Sequence, residues 1–198
     1  MTRLLLVRHA EQVRDGRFWQ HACPGLTPRG RKQAAALAAR LGAEEGNATV
    51  AAVMSSRAAR AIETASAVAS ALGVTLSAPS CQLCEMHPGD AEGLTPAEMN
   101  ERFGPTYASV PGAQHAPDWM PTGVAALQSL AERNDGQTVV AVTHTAVLVA
   151  SFVAFGGRTL EDAAAVAPFR HTSITEWARG PVAGEWAVAR KNDATHLD

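Results

Sequence analysis

Short apolar runs recur along the chain and are separated by alanine-rich stretches. Residues 4–7 form a continuous apolar run, typical of a strand that is covered on both faces of a sheet. A second buried strand is predicted at residues 49–54, and residues 138–142 give the clearest strand pattern in the chain. Helical stretches lie between these runs, and this alternation indicates a mainly parallel sheet.

Capping residues and alanine content mark the helices. Thr27 suits the N-cap and Pro28 the first position of a helix that continues through residues 33–41, and Gly42 predicts its end. Further helices are predicted at residues 57–72, Pro96–Phe103, 123–132 and 146–155, and late strands at residues 173–178 and 185–189 flank a Gly180-Pro181 turn.

This order of elements predicts an α/β protein, a three-layer α/β/α sandwich with a mainly parallel central sheet. We found no repeat or linker, so residues 1–198 are expected to form a single domain. Residues 81–121 differ in composition from the rest of the chain, because proline, glycine, histidine and acidic residues recur there. Such a stretch within a compact domain is usually functional, and we expect a lid-like insertion.

Composition narrows the possible partners. The chain has 198 residues, 46% of them hydrophobic and 18% charged, which is an ordinary globular balance. The formal net charge of -2 argues against non-specific binding to nucleic acid or to an anionic membrane, so an anionic ligand needs a local cluster of cations. No apolar run is long enough to span a bilayer, and Arg8 interrupts the first one too early for a signal peptide. We therefore expect a cytoplasmic protein, either a monomer or a homodimer.

The three cysteines are Cys23, Cys81 and Cys84, and the last two form a C-x-x-C pair. A redox or zinc role needs further context, such as a second pair of metal ligands. Apart from the nearby His87, none is evident in the sequence. The pattern therefore favours ordinary thiols and predicts no metal site.

Cationic and imidazole side chains follow three of the predicted strands. Arg8 and His9 follow the first strand, Arg60 comes soon after the second, and His144 follows the third. In open α/β sheets, ligands bind outside the carboxyl ends of the strands. Taken alone, each of these residues is more often a surface group or a polar cap. Four of them at one edge of a sheet are suited to binding a phosphate group. Arginine matches phosphate oxygens bidentately, and a neutral histidine can act as a nucleophile towards phosphorus.

Several ordered motifs carry a resemblance to a known family. Arg8-His9-Ala10-Glu11 resembles the Arg-His-Gly-Glu signature of the histidine phosphatase superfamily, which includes cofactor-dependent phosphoglycerate mutases. Also similar to family landmarks are the helix starts at residues 26–34 and 55–65, Leu83-Cys84-Glu85, Glu92-Gly93 and Val142-Thr143-His144.

The resemblance implies a phosphoglycerate mutase-like fold and a metal-independent phosphatase without a cofactor. His9 would be the nucleophile that becomes phosphorylated, and Glu85 would be the general acid and then the base that activates water. The phosphate pocket would consist of Arg8, Arg60 and His144. Further substrate-binding candidates are Gln12, Arg14, His87 and Thr145, and other candidates for contacting the rest of a small phosphate ester are Arg17, Trp19, His21, His115 and Arg170.

The sequence also departs from the family pattern. Ala10 replaces a glycine and Thr145-Ala146 replaces a Gly-Gly pair, so added side chains are expected near the phosphate. Asp15 stands where a phosphate-contacting asparagine is common, and its negative charge argues against such a contact. Hydrolysis of a phosphomonoester is the favoured function. Phosphoglycerate mutase-type transfer and a phosphate-binding module with weakened catalysis remain alternatives.

Overall fold

The structure, a computed structural model, describes residues 1–180 and 184–198, with the backbone alone at residues 46–49. Pro181 of the predicted turn lies outside the described residues. Five strands form one sheet in the order β2-β3-β1-β4-β5. The strands are β1 (Thr2–Arg8), β2 (Val50–Ser55), β3 (Thr138–Thr143), β4 (Ile174–Arg179) and β5 (Trp186–Asp193).

Strand directions agree with the predicted fold class. β1 and β2 both pair in parallel with β3, β4 runs antiparallel to β1, and β5 runs antiparallel to β4. Four of the five strands therefore point the same way, which confirms a mainly parallel sheet. The register pairs Arg8 with Thr143 and Ser55 with Val142, so three neighbouring strands end at one level.

Helices cover both faces of the sheet. They are α1 (Pro28–Thr49), α2 (Ala59–Leu72), α3 (Pro96–Phe103), α4 (Ala116–Arg133), α5 (Thr145–Ala154) and α6 (Leu160–Ala164). Leu5 and Val7 of β1 pack in a core with α1 and α2, whereas Leu4 and Leu6 pack in a core with α4 and α5. Because successive side chains of a strand alternate between faces, one apolar strand serves both cores and three layers result.

The predicted end of α1 at Gly42 is wrong, since the helix continues to Thr49. A Cβ added at Gly42 would lie 3.6 Å from the carbonyl oxygen of Ala71, so α2 passes close to this position. The following turn is also held by ion pairs, in which Glu45 bonds Arg3 and Glu44 bonds Arg40. Here glycine permits close helix packing, and tertiary contacts outweigh its low helix propensity.

Residues 81–121 hold α3, three short 3₁₀ turns and the beginning of α4. The segment has a small apolar cluster of its own, built on Ala91, Met99 and Val110. It is joined to the sheet where Thr143 Oγ1 donates to the carbonyl oxygen of Leu83 at 2.8 Å. The segment therefore lies against the carboxyl end of β3.

The predicted start of α4 at residue 123 is also wrong, because the helix begins at Ala116 and includes Pro121. Pro117 lies in the first turn, where a backbone N–H would have no acceptor within the helix, so the absence of this group in proline costs no hydrogen bond. Pro121 removes one helical hydrogen bond and is tolerated near the helix start. Within the described residues, no helix combines the length and the apolar character needed to cross a membrane.

Candidate active site

His9 follows β1 and is 5% exposed. Its Nδ1 lies 2.7 Å from the carbonyl oxygen of Ala10, and Arg60 Nε donates to its Nε2 at 3.2 Å. A guanidinium can only donate, so Nε2 carries the lone pair and Nδ1–H donates to Ala10. Burial, with the neighbouring His144 and Arg60, holds the pKa of His9 well below its usual value. His9 is therefore a neutral imidazole whose Nε2 accepts in the site.

Arg60 lies in the first turn of α2 and is only 3% exposed. Its Nη1 donates to the carbonyl oxygen of Gln20 at 3.0 Å, and its Nη2 donates to the side-chain oxygen of Gln20 at 2.9 Å. The same Nη2 also donates to His144 Nδ1 at 3.2 Å. One buried guanidinium thus joins the ends of β1 and β3 to the loop before α1.

His144 is the N-cap residue of α5 and is 1% exposed. Since its Nδ1 accepts from Arg60, its Nε2–H donates to Ser56 Oγ at 2.7 Å. The ring centroids of His9 and His144 are 5.0 Å apart. Burial and the charges of Arg60 and Arg8 keep the pKa of His144 well below its usual value. Both histidines are therefore neutral at neutral pH.

Two buried polar atoms on Arg8 and on the loop that follows β1 lack a protein partner. Among the described side chains, Arg8 Nε and Gln12 Oε1 are buried without a hydrogen bond. Arg8 Nη1 donates to the carbonyl oxygen of Phe169. Burial and the charge of Arg14 lower the pKa of Arg8, and Glu85 opposes this shift. Unpaired buried polar groups are costly, so both atoms are suited to a polar ligand.

Glu85 lies against the N-terminus of α5. Its Oε2 accepts from the backbone N–H of Ala146 at 3.3 Å, and its Oε1 accepts from that of Met86 at 3.2 Å. Burial raises the pKa of Glu85, and the N–H groups together with Arg60 oppose this effect. Burial thus disfavours the charged form of the Glu85 carboxyl group. Arg8 and Arg60 are close enough for their charges to favour it in part.

The substitutions of family glycines have different consequences. Ala10 is fully buried with Leu26 and Ala34, so its methyl group belongs to a small core cluster rather than to the phosphate pocket. Thr145 and Ala146 line, with Glu85, a largely apolar cavity of about 230 Å³. The Ala10 methyl group thus has apolar packing partners of its own, whereas Thr145 and Ala146 shape the surroundings of Glu85.

The loop after β1 binds mainly to itself and to the segment that follows α2. Asp15 is exposed and accepts from Trp19 Nε1 at 2.7 Å, so it orders this loop. Arg17 donates to the carbonyl oxygen of Gly93 at 2.7 Å. These contacts occupy the side chains of Arg17 and Trp19 within the loop and its neighbouring segment.

The remaining specificity candidates are scattered. Arg14 is exposed near Arg8, and the ring of His115 contacts that of Tyr107. His21 and His87 contact each other, with ring centroids 4.7 Å apart. Arg170 lines a cavity of about 370 Å³ together with Arg8 and His171, and it pairs with Asp198.

Three contributors were missed as site residues by sequence reasoning. Gln20 is 1% exposed and holds Arg60, Ser56 holds His144, and His171 Nδ1 bonds the carbonyl oxygen of His9 at 3.1 Å. Ser56 stood within a recognised motif, which was the available signal. Gln20 lies in an irregular loop without any periodic pattern.

Comparison with known proteins identifies the family. The model of the histidine phosphatase superfamily (branch 1) matches residues 4–194. The chain belongs to this superfamily. A metal-independent phosphoserine phosphatase of Arabidopsis thaliana is 32% identical over 165 residues, which cover 77% of this chain and 68% of that protein.

Solved structures share the fold of this histidine phosphatase. YhfR of Bacillus stearothermophilus has a TM-score of 0.82 and 29% identity, and the match covers 100% of both chains. A phosphoserine phosphatase of Entamoeba histolytica has a TM-score of 0.76 and 23% identity over 100% of both chains, a likeness in fold alone. Family membership and the Arabidopsis relative support a phosphatase, which is a hydrolase of phosphate esters.

Proposed function

We propose that the chain hydrolyses a small phosphomonoester by a metal-independent reaction through a phosphohistidine on His9. The carrying observation is the state of His9, a buried neutral imidazole whose Nε2 lone pair faces Arg60 and neighbours His144. Such an arrangement combines a nucleophile with fixed donors for the transferred phosphoryl group.

In the first step, His9 Nε2 attacks phosphorus as the bond to the leaving oxygen breaks. The phosphate replaces His9 as the partner of Arg60 Nε, while Arg8 Nε gains the acceptor that it lacks. His144 and both guanidiniums face the oxygens on which charge is spread. Glu85 supplies the proton that the leaving oxygen takes up.

In the second step, the carboxylate of Glu85 accepts a proton from water as the water oxygen attacks phosphorus. The N–P bond breaks, inorganic phosphate forms and His9 regains its lone pair. The Ala10 carbonyl holds the Nδ1 proton throughout, and so it favours the tautomer that reacts at Nε2. The reaction requires only water and these side chains.

Within a single domain, we assign residues 81–121 the role of a lid over this site. The segment carries Glu85 and contacts the loop after β1, where the backbone N–H of Gln20 donates to Glu92 Oε1 at 2.8 Å. The substrate class is a small phosphate ester whose leaving group lies towards Glu85. Thr145, Gln12 and Arg14 are assigned to substrate binding around it.

The first experiment measures p-nitrophenyl phosphate hydrolysis in excess chelator, with trapping of acid-labile phosphoenzyme. We expect the wild type to turn over and His9→Ala to form neither product nor phosphoenzyme. Transfer of the phosphoryl group to a glycerate acceptor instead of water would identify a mutase, and phosphate binding without phosphoenzyme would identify a binding module.

Glu85→Gln separates acid catalysis from nucleophilic attack. p-Nitrophenolate is a good leaving group, so its ester depends less on a proton donor than an alkyl phosphate such as phosphoserine does. We expect a loss of about 10²–10⁴ in kcat/KM, which reports the phosphorylation step, on an alkyl phosphate and a clearly smaller loss on the nitrophenyl ester. Equal losses in kcat/KM on both substrates would contradict the assignment of Glu85 as the acid.

A further inference from the structure

Three metal-ligating side chains, those of His21, Cys81 and Cys84, meet at a place that the proposed mechanism does not use, and His87 lies beside them. His21 Nε2 lies 3.3 Å from Cys81 Sγ and 3.4 Å from Cys84 Sγ. The two sulfurs are 2.8 Å apart, and His87 Nε2 lies 4.0 Å from Cys81 Sγ. His21 is 60 residues away from Cys81 in the chain, so the fold brings these atoms together.

We propose that His21, Cys81, Cys84 and His87 bind one zinc ion. Two thiolates and two imidazoles form a typical tetrahedral zinc site, and the C-x₂-C spacing is common among structural zinc ligands. The sequence favoured ordinary thiols because a second pair of ligands was not visible. The structure supplies a second pair, His21 and His87. His21 comes from the loop before α1, far from the cysteines in sequence.

The distances suit a tetrahedral ion after a small adjustment. Bond lengths to zinc place two sulfurs about 3.8 Å apart, and a sulfur and a nitrogen about 3.6 Å apart. The distances from His21 Nε2 to the two sulfurs, 3.3 and 3.4 Å, lie just below that value, and the distance of 4.0 Å from His87 Nε2 to Cys81 Sγ lies above it. Cys81 is exposed, so its side chain can rotate to widen the contact with the buried Cys84.

Zinc binds the thiolate form of cysteine and the neutral form of histidine. Binding would therefore displace the thiol protons of Cys81 and Cys84 and neutralise the resulting negative charge.

Zinc at this site would join two segments that carry active-site groups. Gln20 precedes His21, and Glu85 lies between Cys84 and His87. Arg8, His9, Arg60 and His144 are not ligands, so the ion would have a positioning role and take no part in phosphoryl transfer. Zinc binding itself is independent of the proposed function, whereas this positioning role rests on it.

The first test is the zinc content of the full-length protein after exposure to zinc and removal of excess ion. We expect about one tightly held ion per chain and, with Co²⁺ in its place, tetrahedral visible bands with a thiolate-to-cobalt charge-transfer band. Cys81→Ser and His21→Gln are expected to lose both signals, and Cys23→Ser, outside the cluster, is the control that retains them. A wild type that binds no zinc, or whose Cys81 and Cys84 form a disulfide instead, would overturn the proposal.

The second test compares the zinc-bound and zinc-depleted enzyme. Depletion is expected to lower kcat/KM several-fold on an alkyl phosphate and to have less effect on the nitrophenyl ester, while phosphoenzyme still forms on His9. Zinc binding with identical kinetics in both forms would overturn the positioning role. If the protein binds zinc but neither form yields phosphoenzyme, the proposed function is overturned and the metal site stands.

Discussion

Ser56 Oγ accepts a hydrogen bond of 2.7 Å from His144 Nε2, and both residues are almost completely buried. Because His144 Nδ1 already accepts from Arg60, this bond fixes both the ring orientation and the tautomer of His144. A serine at the end of β2 thus determines the orientation of an imidazole at the end of β3, which the proposed mechanism places beside the phosphoryl group.

Replacement of Ser56 with alanine is therefore expected to act through His144. Ser56→Ala leaves a buried N–H without an acceptor, which costs about 1–3 kcal/mol of unfolding free energy, and kcat should fall by about tenfold. Steady-state kinetics and urea unfolding measure the two effects. Ser55→Ala is the matched control, because Ser55 Oγ is equally buried but has no hydrogen-bond partner. Equal effects of the two substitutions would show that the bond to His144 is unimportant.

Prediction from the sequence succeeded where structure is periodic. Buried apolar strands place Arg8, His9 and His144 at the carboxyl edge of the sheet, and the parallel register brings these strand ends to one level. The alternation of Leu4 and Leu5 between the two cores similarly follows from the strand period. These features depend on local pattern and on general rules of sheet connection.

The remaining features depend on contacts between segments distant in sequence. Gln20 lies in a loop without a periodic sequence pattern, and it holds Arg60 only because the fold brings this loop to α2. His21 becomes a zinc ligand candidate only when the loop meets Cys81. Gly42 predicted a helix end, but α2 packs against it and the helix continues. No local propensity specifies such contacts.

Gln20 is expected to control the position of Arg60. Its side-chain oxygen accepts from Arg60 Nη2 at 2.9 Å, and its Nε2 donates to the carbonyl oxygen of Glu85. Gln20→Ala should weaken inhibition by vanadate and lower kcat by about tenfold, since a fixed donor becomes mobile.

Gln20→Glu separates the effect of losing the contact to Arg60 from the effect of added negative charge. The carboxylate still accepts from Arg60 but adds negative charge near the phosphate, so KM should rise more than with Gln20→Ala. Unchanged kinetics in both variants would show that the backbone carbonyls of Trp19 and Gln20 hold Arg60 without the side chain.

Ala10→Gly restores the residue usual in the family at this position, and we expect it to destabilise the protein without improving catalysis. The methyl group is buried with Leu26 and Ala34, and the chain gains freedom when it is removed. The loss should be about 1–2 kcal/mol of unfolding free energy, with kcat changed less than about twofold. Urea unfolding and steady-state kinetics measure both, and a large gain in kcat would show that Ala10 narrows the pocket.

Stability is expected to fall in mildly acidic solution because His9 and His144 are buried as neutral rings. Their pKa values lie well below 6.5 in the folded protein, so below about pH 6.5 the unfolded chain binds more protons than the folded one. The unfolding free energy should therefore be constant above this pH and decline as the pH falls, by up to about 1.4 kcal/mol per pH unit for each histidine.

Acidic groups affect a different pH range. The ion pair with Arg40 lowers the pKa of Asp193, so its stabilisation is present above the ordinary carboxyl pKa and is lost only in stronger acid. Urea unfolding between about pH 7.5 and pH 5 covers the range in which the histidines act. Burial also lowers the pKa of His87, His171 and His196, which adds to the decline, whereas the raised pKa of Glu85 opposes it. His144→Asn removes one titrating ring and should give a shallower decline than the wild type. A wild-type unfolding free energy that stays flat over this interval would mean that His9 and His144 keep ordinary pKa values, and the neutral nucleophile would lose its support.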